Sequence, residues 1–137
     1  HMRIGVLEQG VAVLAQRLVR RICPKCKEPY TPTPADIKAS GLTPEQVAGA
    51  KFMHGKGCSN CNKTGYRGRQ GIYEMLRLDG KLREMAFKGA SAQEMRRYAK
   101  SKGSRNLLDD GMLKVCKGMT TFEEVLSTCH HDSALDH

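Results

Sequence analysis

Cys23-Pro24-Lys25-Cys26 and Cys58-Ser59-Asn60-Cys61 are the two segments that decide how this chain is read. A Cys-x-x-Cys turn presents both of its sulfurs to one point, so two such turns can complete a tetrahedral all-thiolate site for Zn2+. A closed site of that kind leaves no open coordination position for water or substrate. The metal would then hold a fold together and carry out no reaction. Cys23, Cys26, Cys58 and Cys61 are therefore the expected metal ligands, with Zn2+ as a structural cofactor, and no catalytic or cofactor-binding residue is assigned.

Two other uses of these thiols remain open to the sequence. Two disulfides would need an oxidising compartment, but no signal-peptide pattern is read, and 23 basic residues with two further cysteines do not resemble a secreted disulfide scaffold. Cys23-Pro24-Lys25-Cys26 could alone be a redox pair of the thioredoxin type, yet no βαβ pattern surrounds it. The 31 residues between Cys26 and Cys58 exceed the loop of a simple zinc ribbon, so they should form structure of their own. His54 is a spare ligand candidate that reads better as a solvent-exposed loop histidine.

With 137 residues, 39% apolar content, no Trp and 5% aromatics, the chain can bury only a modest core, as one domain or two very small ones. Structural zinc, worth on the order of 10 kcal/mol in small modules, would supply the missing stability. No apolar run approaches the length of a transmembrane helix. The formal charge of +9 invites a nucleic-acid or anionic-membrane partner. The basic residues gather at Arg17 to Lys27, Lys63 to Arg69 and Lys81 to Lys102, while Asp109, Asp110, Glu123 and Glu124 make the C-terminal end acidic. A solvated surface accounts for most of them.

Leu7, Val11, Leu14, Leu18 and Ile22 recur at helical spacing, which predicts a helix ending just before Cys23 with Arg17, Arg20 and Arg21 on its other side. His1-Met2 reads as a remnant of tag cleavage, and the abrupt start of this helix suggests a larger body upstream. Tyr30-Thr31-Pro32-Thr33-Pro34 is extended and proline-stiffened. Thr33 with Pro34 opens a short helix closed by Gly41, and Thr43-Pro44-Glu45-Gln46 is a capping box for a second. Glycines at 55, 57, 65, 68 and 71 flank the second cysteine pair. Ile72-Tyr73-Glu74-Met75-Leu76 is the best strand, bounded by Gly71 and Asp79-Gly80. Asp79 caps a helix through Phe87, Ser91 with Glu94 caps another ending near Gly103, Leu107 to Lys117 is a third, and Thr121 with Glu124 opens a fourth through Leu126.

Gly65-Tyr66-Arg67-Gly68 matches the backbone-clamping loop of KH domains, but those loops join two helices, and hairpin glycines are the simpler account. No Gly-x-x-x-x-Gly-Lys-Ser/Thr occurs, so the segment holds no nucleotide cradle of the usual kind. Cys116 is expected as a small buried residue of the third helix and Cys129 in a mobile tail, where Cys129-His130-His131 would bind metal only adventitiously.

Ala15-Gln16-Arg17-Leu18-Val19-Arg20-Arg21-Ile22-Cys23-Pro24-x-Cys26, with Gly57-Cys58-x-x-Cys61-x-x-Thr64-Gly65-Tyr66-x-Gly68-Arg69-x-Gly71-Ile72-Tyr73-Glu74, closely resembles the traffic ATPases. These are the secretion ATPases of type II secretion systems and the extension motors of type IV pili. The resemblance runs from about Val13 to Leu126; residues 3–12 match it poorly and nothing after Thr128 has a counterpart. It implies a C-terminal fragment of a hexameric ATPase at the cytoplasmic face of the inner membrane, whose ATP and Mg2+ belong to the parent protein. It further implies that the four cysteines form a protruding zinc subdomain. The expected partners are other subunits of the hexamer and inner-membrane platform or cytoplasmic scaffold proteins, with Arg17, Arg20 and Arg21 as candidate subunit contacts and no nucleic acid.

The expected fold is mainly α with a small β element, a tetracysteine zinc-bound module followed by a small helical bundle. Its parts would be residues 3–22 as a trailing helix of the ATPase core, 23–64 as the zinc module, 65–128 as the C-terminal strand and bundle, and 129–137 as a flexible tail. A zinc-ribbon nucleic-acid-binding module is the alternative.

Overall fold

The computed structural model describes the backbone of residues 5–7, 11–102 and 105–135, and the side chains of 13–102 and 105–129. Along the chain run β1 (Gly5–Leu7), β2 (Val11–Ile22), β3 (Lys27–Pro29), α1 (Pro34–Ser40), α2 (Pro44–Gly49), β4 (Met53–Gly55), a 3-10 turn (Ser59–Cys61), β5 (Tyr66–Arg77), α3 (Gly80–Phe87), α4 (Ala92–Ser101), α5 (Leu107–Cys116) and α6 (Phe122–Leu135). One sheet has the order β1-β2-β5 and the other pairs β3 with β4. The chain divides into two compact units, His1–Gln16 with Tyr73–Leu107 and Arg17–Ile72 with Leu108–His137.

The helix expected before Cys23 is instead strand β2. Val13, Ala15, Arg17 and Val19 are wholly or partly buried and alternate with exposed Gln16, Leu18 and Arg20. Leu18, which a helical stripe would have covered, is 54% exposed. The branched side chains of Val13, Val19 and Ile22 favour the pleated backbone, and a period of two competes with the helical period over so short a run.

In the first unit β1 runs antiparallel to β2, with Gly5 opposite Val13 and Leu7 opposite Val11. Its core is Leu14, Leu76, Leu78, Leu82, Met95 and Ala99, with Met85, Ala86 and Tyr98 packed against it. The Asp79 carboxylate caps α3 by accepting from the Leu82 N–H at 2.8 Å, and Ser91 caps α4 by accepting from the Glu94 N–H at 3.1 Å, both as expected. Met95 and Ala99, four residues apart, place one face of α4 on the core. Glu74, buried on β5, is held by Arg96, whose Nε and Nη2 donate to Oε1 and Oε2 at 2.8 to 3.0 Å.

The second unit holds both cysteine pairs. Thr33 and Asp36 form a reciprocal capping box on α1, and Thr43 and Gln46 form another on α2. Phe52 and Phe122 stack with ring centroids 5.0 Å apart. Gly111 of α5 faces Val125 of α6 so closely that a Cβ there would collide with the valine methyl. Of the four helices expected in the C-terminal half, α3 and α4 lie in one unit and α5 and α6 essentially in the other. Helix α6 continues to Leu135, past the expected end at Leu126. Most of the expected flexible tail is thus helical in its backbone, and residues 136 and 137 lie outside the described residues.

Candidate metal centre

Two antiparallel three-residue strands bring the cysteine pairs together. Lys27 of β3 lies opposite Gly55 of β4, and Pro29 opposite Met53, so the chain leaving Cys26 meets the chain approaching Cys58. The Lys56 N–H donates to the Cys26 carbonyl at 3.2 Å. After the 3-10 turn, Asn62 and Lys63 take left-handed conformations with φ of 54° and 63°. They curl the backbone so that Lys63 N donates to the Cys58 carbonyl at 2.8 Å and Cys23 N to the Gly65 carbonyl at 2.9 Å. Gly55 and Gly65 pass backbone against backbone, and a Cβ on either would strike the other's carbonyl. That close approach is what the glycines around the second pair provide.

The four sulfurs form one cluster. Sγ of Cys23 lies 3.7 Å from that of Cys58, and Sγ of Cys61 lies 3.8 Å from those of Cys26 and Cys58. A tetrahedron with metal–sulfur bonds of about 2.3 Å has edges of about 3.8 Å. All four are free cysteines, and their ligand atoms lie within 4.8 Å of one another, so they can surround one metal ion.

Backbone and side-chain donors point at these sulfurs. Gly57 N–H donates to Cys26 at 3.3 Å, Cys58 N–H to Cys61 at 3.3 Å, Gly65 N–H to Cys61 at 3.2 Å, and Asn60 Nδ2 to Cys23 at 3.5 Å. Burial opposes ionisation of Cys61, but the Cys58 and Gly65 N–H groups and the neighbouring thiols outweigh it and bring the thiol down to about 6. The Asn60 amide lowers Cys23 in the same direction. Burial dominates at Cys26 and pushes it up to about 11. Cys23 and Cys61 are thus shifted toward thiolate and Cys26 away from it, and a cation among the sulfurs would favour the thiolate form.

His54 sits on β4, not in a loop; its Nε2 meets Glu28 Oε1 at 3.0 Å and its ring lies 5.5 Å from that of Tyr30. Gly65-Tyr66-Arg67-Gly68 leads from the second turn into β5 and joins no pair of helices. Cys116 ends α5, where burial raises its pKa, and Cys129 lies on α6, not in a tail. The side chains of His130 and His131 lie outside the described residues.

One group of residues escaped sequence reasoning. The Arg20 guanidinium donates to Glu124 Oε2 at 2.8 Å while its own backbone N–H donates to Oε1 at 2.8 Å. The same guanidinium covers the Tyr66 ring at 4.1 Å, and the Tyr66 hydroxyl meets Thr121 Oγ1 at 2.8 Å. Hydrogen bonding to Glu124 raises the Arg20 pKa; burial works against Glu124 ionisation, but the bonds from Arg20 prevail and hold it below its ordinary value. Arg20 and Glu124 are 104 positions apart, and no spacing in the chain signals them. Among the described residues of this unit, a surface cleft of roughly 390 Å³ is lined by Arg21, Lys27, Arg67 and Arg69 together with Ile22 and Met119.

Residues 4–127 match the model of the Type II/IV secretion system protein family. The chain is 42% identical over 117 residues to the type IV pilus assembly ATPase PilB of Thermus thermophilus, covering 85% of this chain and 13% of that protein. It is 45% identical over 116 residues to the type II secretion system protein E of Pseudomonas aeruginosa, covering 85% and 22%, and 40% identical over 117 residues to the type II secretion system ATPase E of Vibrio cholerae, covering 85% and 22%. The chain therefore spans less than a quarter of the length of each of these relatives. A match over nearly all of this sequence shows that the chain belongs to the Type II/IV secretion system protein family.

Proposed function

We propose that this chain is the C-terminal part of a hexameric ATPase that powers assembly of a type II secretion pseudopilus or a type IV pilus. Its own contribution is a zinc-stabilised interaction module without a nucleotide site. The observation that carries this reading is the sulfur cluster, in which three Sγ–Sγ separations are 3.7 to 3.8 Å and all four sulfurs lie within 4.8 Å of one another, an arrangement that suits four thiolates around one Zn2+. Bound there, Zn2+ would act as a cross-link between the two cysteine turns. Cys23, Cys26, Cys58 and Cys61 would hold it, while the Gly57, Cys58 and Gly65 N–H groups and Asn60 would orient and stabilise the sulfurs. A clamp of this type keeps a small surface rigid without a large core, so a cycling motor can carry it as a rigid body.

The partners in this account are neighbouring subunits of the hexamer and platform or scaffold proteins of the machine, with the motor in the cytoplasm and peripheral to the inner membrane. No helix among the described residues is long and apolar enough to cross a membrane. The competing role, a zinc-ribbon nucleic-acid binder, draws on the +9 charge. Against it, Tyr66, the aromatic nearest the basic loop, has one ring face covered by Arg20 and its hydroxyl engaged by Thr121.

The test uses the full-length protein with Cys23→Ser and Cys58→Ser together. Metal loss with collapse of pilus assembly or secretion, while the purified motor still hydrolyses ATP, is the expected outcome. Wild-type assembly by a motor that no longer holds metal would overturn the proposal.

A further inference from the structure

Four cations share one recess. Arg21 at the end of β2, Lys27 at the start of β3, and Arg67 and Arg69 on β5 all line the cleft, whose remaining walls are Ile22, Pro24, Gly68 and Met119. Gly68 has φ of +83°, a left-handed kink that interrupts strand alternation, and both of its arginine neighbours line the same cavity. Arg67 donates to the Asn60 carbonyl at 3.0 Å. No ion pair is formed by Arg21, Lys27 or Arg69 among the described residues.

Like charges gathered without counter-charge repel one another, and the arrangement is relieved by an anion arriving from outside. A Zn2+ held by four thiolates would carry two negative charges, which offsets part of this cluster and leaves an excess. The cleft walls also decide between classes of anion. Its lining includes Ile22, Pro24 and Met119, whereas a nucleic-acid track needs an extended basic groove with free aromatic faces, and Tyr66 is covered by Arg20. Apolar and cationic side chains lining one cleft fit a polypeptide segment with both aliphatic and acidic side chains.

We propose that the cleft bounded by Arg21, Lys27, Arg67 and Arg69 is a docking site for an acidic, partly aliphatic segment of a protein partner. It gives the proposed interaction module a contact surface and rests on that role for its partner. The carboxylates pair with the arginine forks, and the aliphatic side chains cover Ile22 and Met119.

The probe is a fluorescein-labelled peptide of alternating Glu-Leu-Glu sequence, titrated with the 137-residue chain by fluorescence anisotropy at low and at physiological salt. Its Gln-substituted counterpart and a single-stranded oligonucleotide of similar length are run beside it. The chain is compared with the Arg21→Glu, Arg69→Glu double variant, with bound metal and circular dichroism recorded for both. Binding of the acidic peptide that falls at least about tenfold in the variant, with metal content and spectrum unchanged, supports the site. Equal binding by both proteins, tighter binding of the oligonucleotide, or a metal-loaded wild type that ignores the acidic peptide overturns it. Failure of the metal centre is visible separately, as a wild-type chain that purifies without metal.

Discussion

The leucine core of the first unit and the cysteine cluster of the second are both buried but differ in what surrounds them. Leu14, Leu76, Leu78, Leu82, Met95 and Ala99 exclude water with apolar surface alone, each large side chain contributing about 1.5–3 kcal/mol by burial. Cys23, Cys26 and Cys61 are equally buried but pack against one another and Cys58, amid N–H groups aimed at sulfur. The elements around them are three-residue strands and helices of six and seven residues, all too short to persist on propensity alone. The second unit also buries Val19, Phe52, Met112, Val115, Phe122 and Val125, so it is the short segments around the cysteines that should answer to metal, and the leucine core to loss of apolar surface.

Removing one ligand should give the largest contrast. Cys61→Ser takes away the sulfur that lies at the centre of the N–H donors and should release a metal clamp worth on the order of 10 kcal/mol. Hydrogen exchange is the readout: the Cys23, Cys58 and Gly65 amides should lose protection while those of Met95 and Ala99 keep it. Uniform loss across both units would erase the distinction. Met95→Ala reverses the pattern, costing about 2–5 kcal/mol in the leucine core through the cavity it leaves, with metal content unchanged in native mass spectra.

A smaller effect belongs to Arg20 and Glu124. Glu124 has its pKa held below the ordinary 4.5 by Arg20, so its contribution is fully present above about pH 4.5 and is lost as pH falls through the lower folded value. Arg20 is 51% exposed, which limits the pair to about 1 kcal/mol through solvent screening. Glu124→Gln should therefore lower the melting temperature modestly at pH 7 and flatten the acid limb of stability against pH. An unchanged acid limb would show that other carboxylates set it. Smallest of the series is Thr33→Ala, which removes one half of the α1 capping box and should cost about 0.5 kcal/mol of unfolding free energy, read by denaturant titration.

The cysteine pairs, the caps at Thr33, Thr43, Asp79 and Ser91, and the strand at Ile72 were legible because each is a local signal with a fixed offset. Strand β2 was not, because Leu7, Val11, Leu14, Leu18 and Ile22 satisfy a helical period while Val13, Ala15 and Val19 satisfy a period of two. Only the partners of a strand decide between them, and partners are not local. The same limit hid Arg20 with Glu124 and the gathering of Arg21 with Arg69, whose members come from distant segments. The grouping of the four cysteines was therefore readable from spacing, and the surface beside them was not.

The most direct test of the central claim is the metal itself, measured by native mass spectrometry on freshly purified chain, with circular dichroism before and after a strong chelator. One zinc per chain and a partial loss of structure on chelation, leaving the α3 and α4 signal, is the predicted result. A metal-free chain whose spectrum the chelator does not change would contradict the clamp and return Cys23, Cys26, Cys58 and Cys61 to another role.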